Sequence, residues 1–153
     1  MANRLFPALF CVAALVQPAL AQERQWTLDA SGEDAYLIFG VPDTDDVGIS
    51  FWCPIQQGEV NVFLPNAVVP SDNGADVPVT ISTDEDKAEF AGKVEPNPES
   101  DGASVEARMP ADHPILSSMM ASDRFRVKAG EQDTVFPLYD ADLRGLMELC
   151  RKP

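Results

Sequence analysis

Residues Ala35–Pro54 read AYLIFGVPDTDDVGISFWCP. Two apolar runs, AYLIFG and ISFWCP, flank an aspartate-rich turn. In the first run Tyr36 and Ile38 fall on one side of an extended chain and Leu37 and Phe39 on the other. A strand that is apolar on both sides lies centrally or beneath a covering element. The second run alternates Ile49, Phe51 and Cys53 against Ser50 and Trp52. Period-two alternation therefore aims Cys53 inward with Ile49 and Phe51.

The same period recurs on either side of this stretch. Gln25–Asp29 carries Trp26 and Leu28 in phase. Beyond the loop Ile55–Gly58, Glu59–Leu64 puts Val60, Val62 and Leu64 on one face, which is a hairpin pattern. Val77–Ser82 continues with Val77, Val79 and Ile81, and Pro78 points to an edge position or a strand start because it cannot donate to a ladder. Further strands are expected at Asp86–Val94, Ala103–Met109, Asp123–Lys128 and Asp133–Tyr139. The period changes only twice. Residues 114–121 place Ile115, Leu116, Met119 and Met120 at helical spacing behind Pro114, a residue suited to the first turn. Residues 141–150 form an amphipathic helix with Leu143, Leu146, Met147 and Cys150 on one face, and Asp140 is the expected N-cap. The pattern predicts a mainly β, single-domain antiparallel β-sandwich of about seven or eight strands with two helices.

Residues 1–21 are read as a cleaved secretory signal. Arg4 precedes the apolar run Leu5–Leu15, and Ala19-Leu20-Ala21 supplies the small-residue cleavage site. The single domain is then 22–153, and its expected location is the periplasm or outside the cell. No later stretch is apolar enough to span a bilayer, so no stable membrane insertion is expected after cleavage. Removal of the signal also removes Cys11, leaving Cys53 and Cys150 in an oxidising compartment. Their strand and helix periodicities both aim the sulfurs at the core, which predicts a Cys53–Cys150 disulfide.

Charge excludes one class of partner. Residues 22–153 hold 10 Lys and Arg against 25 Asp and Glu, a net of −15. Such a field repels phosphate backbones and anionic lipid, so nucleic acid is not an expected partner. A cationic partner, peptide or metal ion is compatible with it. Nine acids lie within residues 71–101 against Lys87 and Lys93. Arg124, Arg126 and Lys128 form the one basic row, at strand spacing. They are a candidate site for an anionic ligand, or equally a set of cross-strand ion pairs or an edge guard.

The chain carries little that resembles catalytic machinery. Its single histidine, His113, precedes Pro114 and reads as a loop or capping residue, although Ser117 and Ser118 are near in sequence. No G-x-S-x-G elbow is present, and no catalytic residue is assigned. One histidine and two paired cysteines cannot build a zinc or copper site, and no cofactor is expected. Asp43, Asp45 and Asp46 crowd one turn and are the only candidates for a hard cation such as calcium. They lack the glycine and distal glutamate of an EF-hand loop, and Asp side chains in turns also bond local backbone.

The exported, C-terminally cysteine-ended chain looks like small exported bacterial proteins of unknown function. The segment His113–Lys128 followed by Thr134–Cys150, TVFPLYDADLRGLMELC, is similar to the C-terminal half of periplasmic invasion-associated locus B proteins. A strand, a Pro-Leu step and a closing helix carry that resemblance. It implies a periplasmic or envelope β-sandwich without enzymatic residues. Together these observations favour a non-enzymatic binding module for an envelope or secreted protein or a small ligand. A secreted hydrolase or enzyme accessory acting through acidic residues, and a calcium-dependent module, are the alternatives.

Overall fold

A computed structural model describes residues 23–69, 74–96 and 102–153. The proposed signal, Pro70, and the acids Asp72, Glu99 and Asp101 lie outside the described residues. Nine strands follow the alternation: β1 Gln25–Ser31, β2 Asp34–Gly40, β3 Val47–Pro54, β4 Glu59–Ala67, β5 Asp76–Ser82, β6 Lys87–Pro96, β7 Ala103–Pro110, β8 Arg124–Ala129 and β9 Gln132–Pro137. Helix α1 (Pro114–Met120) separates β7 from β8, and α2 (Leu143–Cys150) closes the chain.

The fold is mainly β and antiparallel, as expected, with both helices where the periodicity changes. All nine strands join one hydrogen-bonded sheet in the order β1-β2-β3-β4-β7-β6-β5-β8-β9. The β4–β7 and β5–β8 ladders are what merge two potential layers into one. The sheet curls into a half-barrel, which keeps the sandwich-like character because opposite ends of the sheet meet across the core. Trp26 on β1 donates its indole N–H to the Pro137 carbonyl on β9 at 2.6 Å. Phe39 on β2 meets Phe136 on β9 edge-on at 5.8 Å.

One feature of β5 departs from the sequence expectation. Pro78 does not mark an edge strand, since β5 lies between β6 and β8. Its pairing with β8 begins only at Val79↔Ala129, however, so Pro78 sits where that ladder has not yet started. The prohibition on proline donors is respected locally.

The concave face is the core. Leu37, Ile49, Phe51, Cys53, Val60, Leu64, Ile81, Val105 and Phe125 are essentially buried, and Ile115, Leu116, Met119, Leu146 and Met147 from the helices pack into the same cluster. Rings of Trp26, Phe51, Phe125 and Phe136 lie 5.4–6.2 Å apart through its centre. Close packing leaves Gly92 on β6 no room for a side chain: an added Cβ would lie 2.7 Å from Val79 Cγ2 and 2.8 Å from Val105 Cγ1.

Cys53 and Cys150 form the expected disulfide, with Cα atoms 5.7 Å apart. A second anchor lies beside it. The last carbonyls of a helix have no partner within the helix; here Leu149 O accepts from Gln56 N and Cys150 O from Gly58 N, both at 2.8 Å. The β3–β4 turn thus caps α2. Gln56 and Gly58 adopt positive φ of 61° and 77° to turn those amides onto the helix end. At the other end the N-cap is Asp142 and not Asp140. Ala141 N bonds back to Leu138 O, and that turn delays the helix by two residues.

Candidate functional site

Alternation that turns Ala35, Leu37, Phe51 and Cys53 into the core turns Tyr36, Ile38, Ser50 and Trp52 outward. Register then assembles an outer face from separate parts of the chain. Asp29 pairs with Tyr36, Tyr36 with Trp52, Trp52 with Asn61, and Asn61 with Arg108. The adjacent row runs Ile38, Ser50, Phe63, Glu106. Tyr36 and Trp52 stack with ring centres 6.2 Å apart and planes 20° from parallel. Both remain half-buried on a face open to solvent, as do Ile38 and Phe63.

Hydrogen bonds fix this face. Trp52 Nε1 donates to Glu106 Oε2 at 3.2 Å across the width of β4. Asn61, only 2% exposed, accepts from Arg108 Nε at 3.2 Å and turns its amide nitrogen to the Trp52 carbonyl. Arg108 also pairs with Glu59 at 3.4 Å. The Tyr36 hydroxyl donates to Asp34 Oδ2 at 3.4 Å. Desolvation raises the Tyr36 phenol above its ordinary value of 10.0, and the charge and hydrogen bond of Asp34 add to the effect.

The basic row is placed elsewhere, on the outer face of β8. Arg124 pairs with Asp84 at 3.3 Å and Arg126 with Asp133 at 2.6 Å. Lys128 lies opposite Asp133 on β9 and Thr80 on β5. A hollow of about 300 Å³ beside the row is lined by Ser82, Thr83, Asp84, Arg124, Phe125, Arg126 and Val135. Two of the three cations are thus committed to cross-strand or loop partners, and the row does not converge on one point.

The aspartate turn is internally bonded. Thr44 Oγ1 donates to Val41 O and accepts from Asp46 N, while Asp46 pairs with Arg24 at 2.5 Å. Asp43 has a φ of 60°. Among the described residues, no group of three His, Cys, Asp or Glu side chains converges as a metal site. His113 caps α1, its Nδ1 accepting from Ile115 N at 3.2 Å, and packs edge-on against Phe90. Ser118 Oγ bonds Asp86 and not the histidine.

No family model, curated protein or solved structure matches this chain. The Tyr36–Trp52 face was not among the sites expected from sequence. Its signal was nonetheless present: two large aromatics in the outward phase of strands whose inward phase was already filled. What the sequence lacked was register, which brings Asp29 and Glu106, 77 positions apart in the numbering, to the same surface.

Proposed function

We propose that this chain is a non-enzymatic binding module exported to the bacterial periplasm or envelope, and that the Tyr36–Trp52 face is its binding surface. The observation that carries the reading is a preorganised aromatic pair on a solvent-facing sheet. Aromatic side chains supply much of the energy of recognition surfaces, and they need little ordering when their rotamers are already locked. Trp52 is locked by Glu106, and Tyr36 is held by Trp52 and Asp34. Cys53–Cys150 supports an oxidising location, and among the described residues no helix is long and apolar enough to cross a membrane. The likeness of the C-terminal part to invasion-associated locus B proteins points to the same compartment.

A pull-down from envelope extract tests the reading. The native chain should retain a partner that the folded Tyr36→Ala/Trp52→Ala variant loses. Retention of the same partners by both proteins would sink the assignment to this face.

A further inference from the structure

We propose that the Tyr36–Trp52 face receives a cationic segment of polypeptide, a stretch bearing lysine or arginine. The inference rests on the binding reading above and names the chemistry of the ligand. Three carboxylates frame the aromatic pair. Asp29 lies directly across β1 from Tyr36, Asp34 touches the Tyr36 hydroxyl, and Glu106 holds the Trp52 indole. None of the three has a Lys or Arg partner among the described residues, where the ion pairs are Arg24–Asp46, Lys93–Asp76, Arg108–Glu59, Arg124–Asp84 and Arg126–Asp133. The two cations of this face are already engaged: Arg108 is taken by Glu59 and Asn61, and Lys93, which stands opposite Glu106 in the β6–β7 ladder, pairs with Asp76 at 2.6 Å.

Hydrogen-bonding capacity separates a cation from a neutral ligand. The indole N–H, the phenol O–H, the Asn61 amide and Arg108 Nε each donate to a partner within the face. Arg108 keeps further guanidinium N–H groups at the far end of the row, but beside the two rings the open groups are the carboxylate lone pairs of Asp29, Asp34 and Glu106, because an ionised carboxylate only accepts. A neutral sugar brings both donors and acceptors and would leave its acceptors poorly matched. An ammonium or guanidinium group brings donors only, and aromatic rings attract it through their quadrupole. The net charge of −14 over the whole chain draws such a segment in from a distance.

The test uses the oxidised full chain and a tri-lysine peptide capped at both ends, with affinity followed by titration calorimetry. Native protein should bind the peptide, more weakly as salt rises. Trp52→Ala should weaken binding about fivefold, the size of one exposed cation–π contact, and Trp52→Phe should restore most of it. Neutralising the frame (Asp29→Asn, Asp34→Asn, Glu106→Gln) should cost tenfold or more. A matched neutralisation on β5–β6 and its flank (Glu85→Gln, Glu89→Gln, Glu95→Gln) should leave affinity within about twofold. Thermal melting of each variant establishes that it is folded. Equal losses from the two neutralised proteins, or an unchanged Trp52→Ala, overturn the proposal, since attraction would then follow net charge alone. Failure to bind tri-lysine, with Trp52-dependent binding of a neutral β-linked glucose oligomer, also overturns it while leaving the binding face intact. If neither probe binds and the pull-down is indifferent to Tyr36 and Trp52, the functional reading itself fails.

Discussion

Replacing both cysteines, as Cys53→Ala/Cys150→Ala, should lower stability by about 4.7 kcal/mol without releasing the terminal helix. The crosslink closes a loop of 97 residues. Loop-closure entropy for that length is about 16 cal/mol/K, or about 4.7 kcal/mol at 25 °C. For a chain of this size about 4 °C of melting temperature accompanies each kcal/mol, so the expected fall is about 15–20 °C. Helix α2 should nevertheless remain docked, because Gln56 and Gly58 still donate to its last carbonyls and Leu143, Leu146 and Met147 still fill the core. The assay is thermal unfolding by circular dichroism of the native protein, the native protein with reductant, and the double variant. Intact mass first establishes the bond through a gain of two hydrogens on reduction. A fall below about 5 °C in both reduced forms would refute the entropic account. Loss of protection at the Gln56 and Gly58 amides under native conditions would refute the claim that the turn holds the helix independently.

Gly92→Ala should destabilise by about 1–3 kcal/mol, seen as a lower urea midpoint at unchanged slope, because the new methyl collides with Val79 and Val105 inside a packed sheet. Asp142→Ala removes the acceptor for Gly145 N at 2.8 Å and should cost about 1 kcal/mol by the same measurement. The third expectation concerns pH. Tyr36 keeps its proton longer in the folded state than in the unfolded state, so its contribution is complete below pH 10.0 and is lost as pH rises through the raised folded value. In a Tyr139→Phe background only Tyr36 titrates, since the chain has two tyrosines. Phenolate absorbance should then show a midpoint above 10.0 that falls in Asp34→Asn; an unchanged midpoint would remove Asp34 as a cause.

Local signals made most of the fold legible. Every strand segment expected from alternation is a strand, because inward and outward residues differ in polarity along each one. The disulfide was legible for a stronger reason: two unrelated periodicities, that of β3 and that of α2, aimed Cys53 and Cys150 at one interior. Sheet order was not legible. Nothing local tells β4 to pair with β7, or β5 with β8 as well as β6, and those two ladders decide between two layers and one curled sheet. For the same reason Pro78 suggested an edge that the topology does not provide. The candidate site failed to appear for a related cause. Asp29, Tyr36, Trp52 and Glu106 belong to four strands, and each alone is an ordinary surface residue. Even the N-cap of α2 moved from Asp140 to Asp142 through a single local turn, in which Ala141 N bonds Leu138 O.

Register connects the core to the proposed binding face. Side chains on a strand alternate with a period of two, so a one-residue slip of β3 would exchange its faces completely. Cys53 bonded to Cys150 removes that freedom: while the sulfurs are joined, Trp52 must point outward and Phe51 inward. Tyr36 is placed by the same constraint, since Ala35 stands opposite Cys53 and Tyr36 opposite Trp52. The crosslink therefore does more than shorten the unfolded chain. It fixes the phase of the two strands that carry the aromatic pair, and the β3–β4 turn that caps α2 begins directly after it. A surface that must recognise a partner without reordering benefits from this arrangement, because the ordering cost of the rings is met during folding and not at each encounter. The stretch Ala35–Pro54 thus serves both sides of the sheet, through Cys53 within and through Trp52, its immediate neighbour, without.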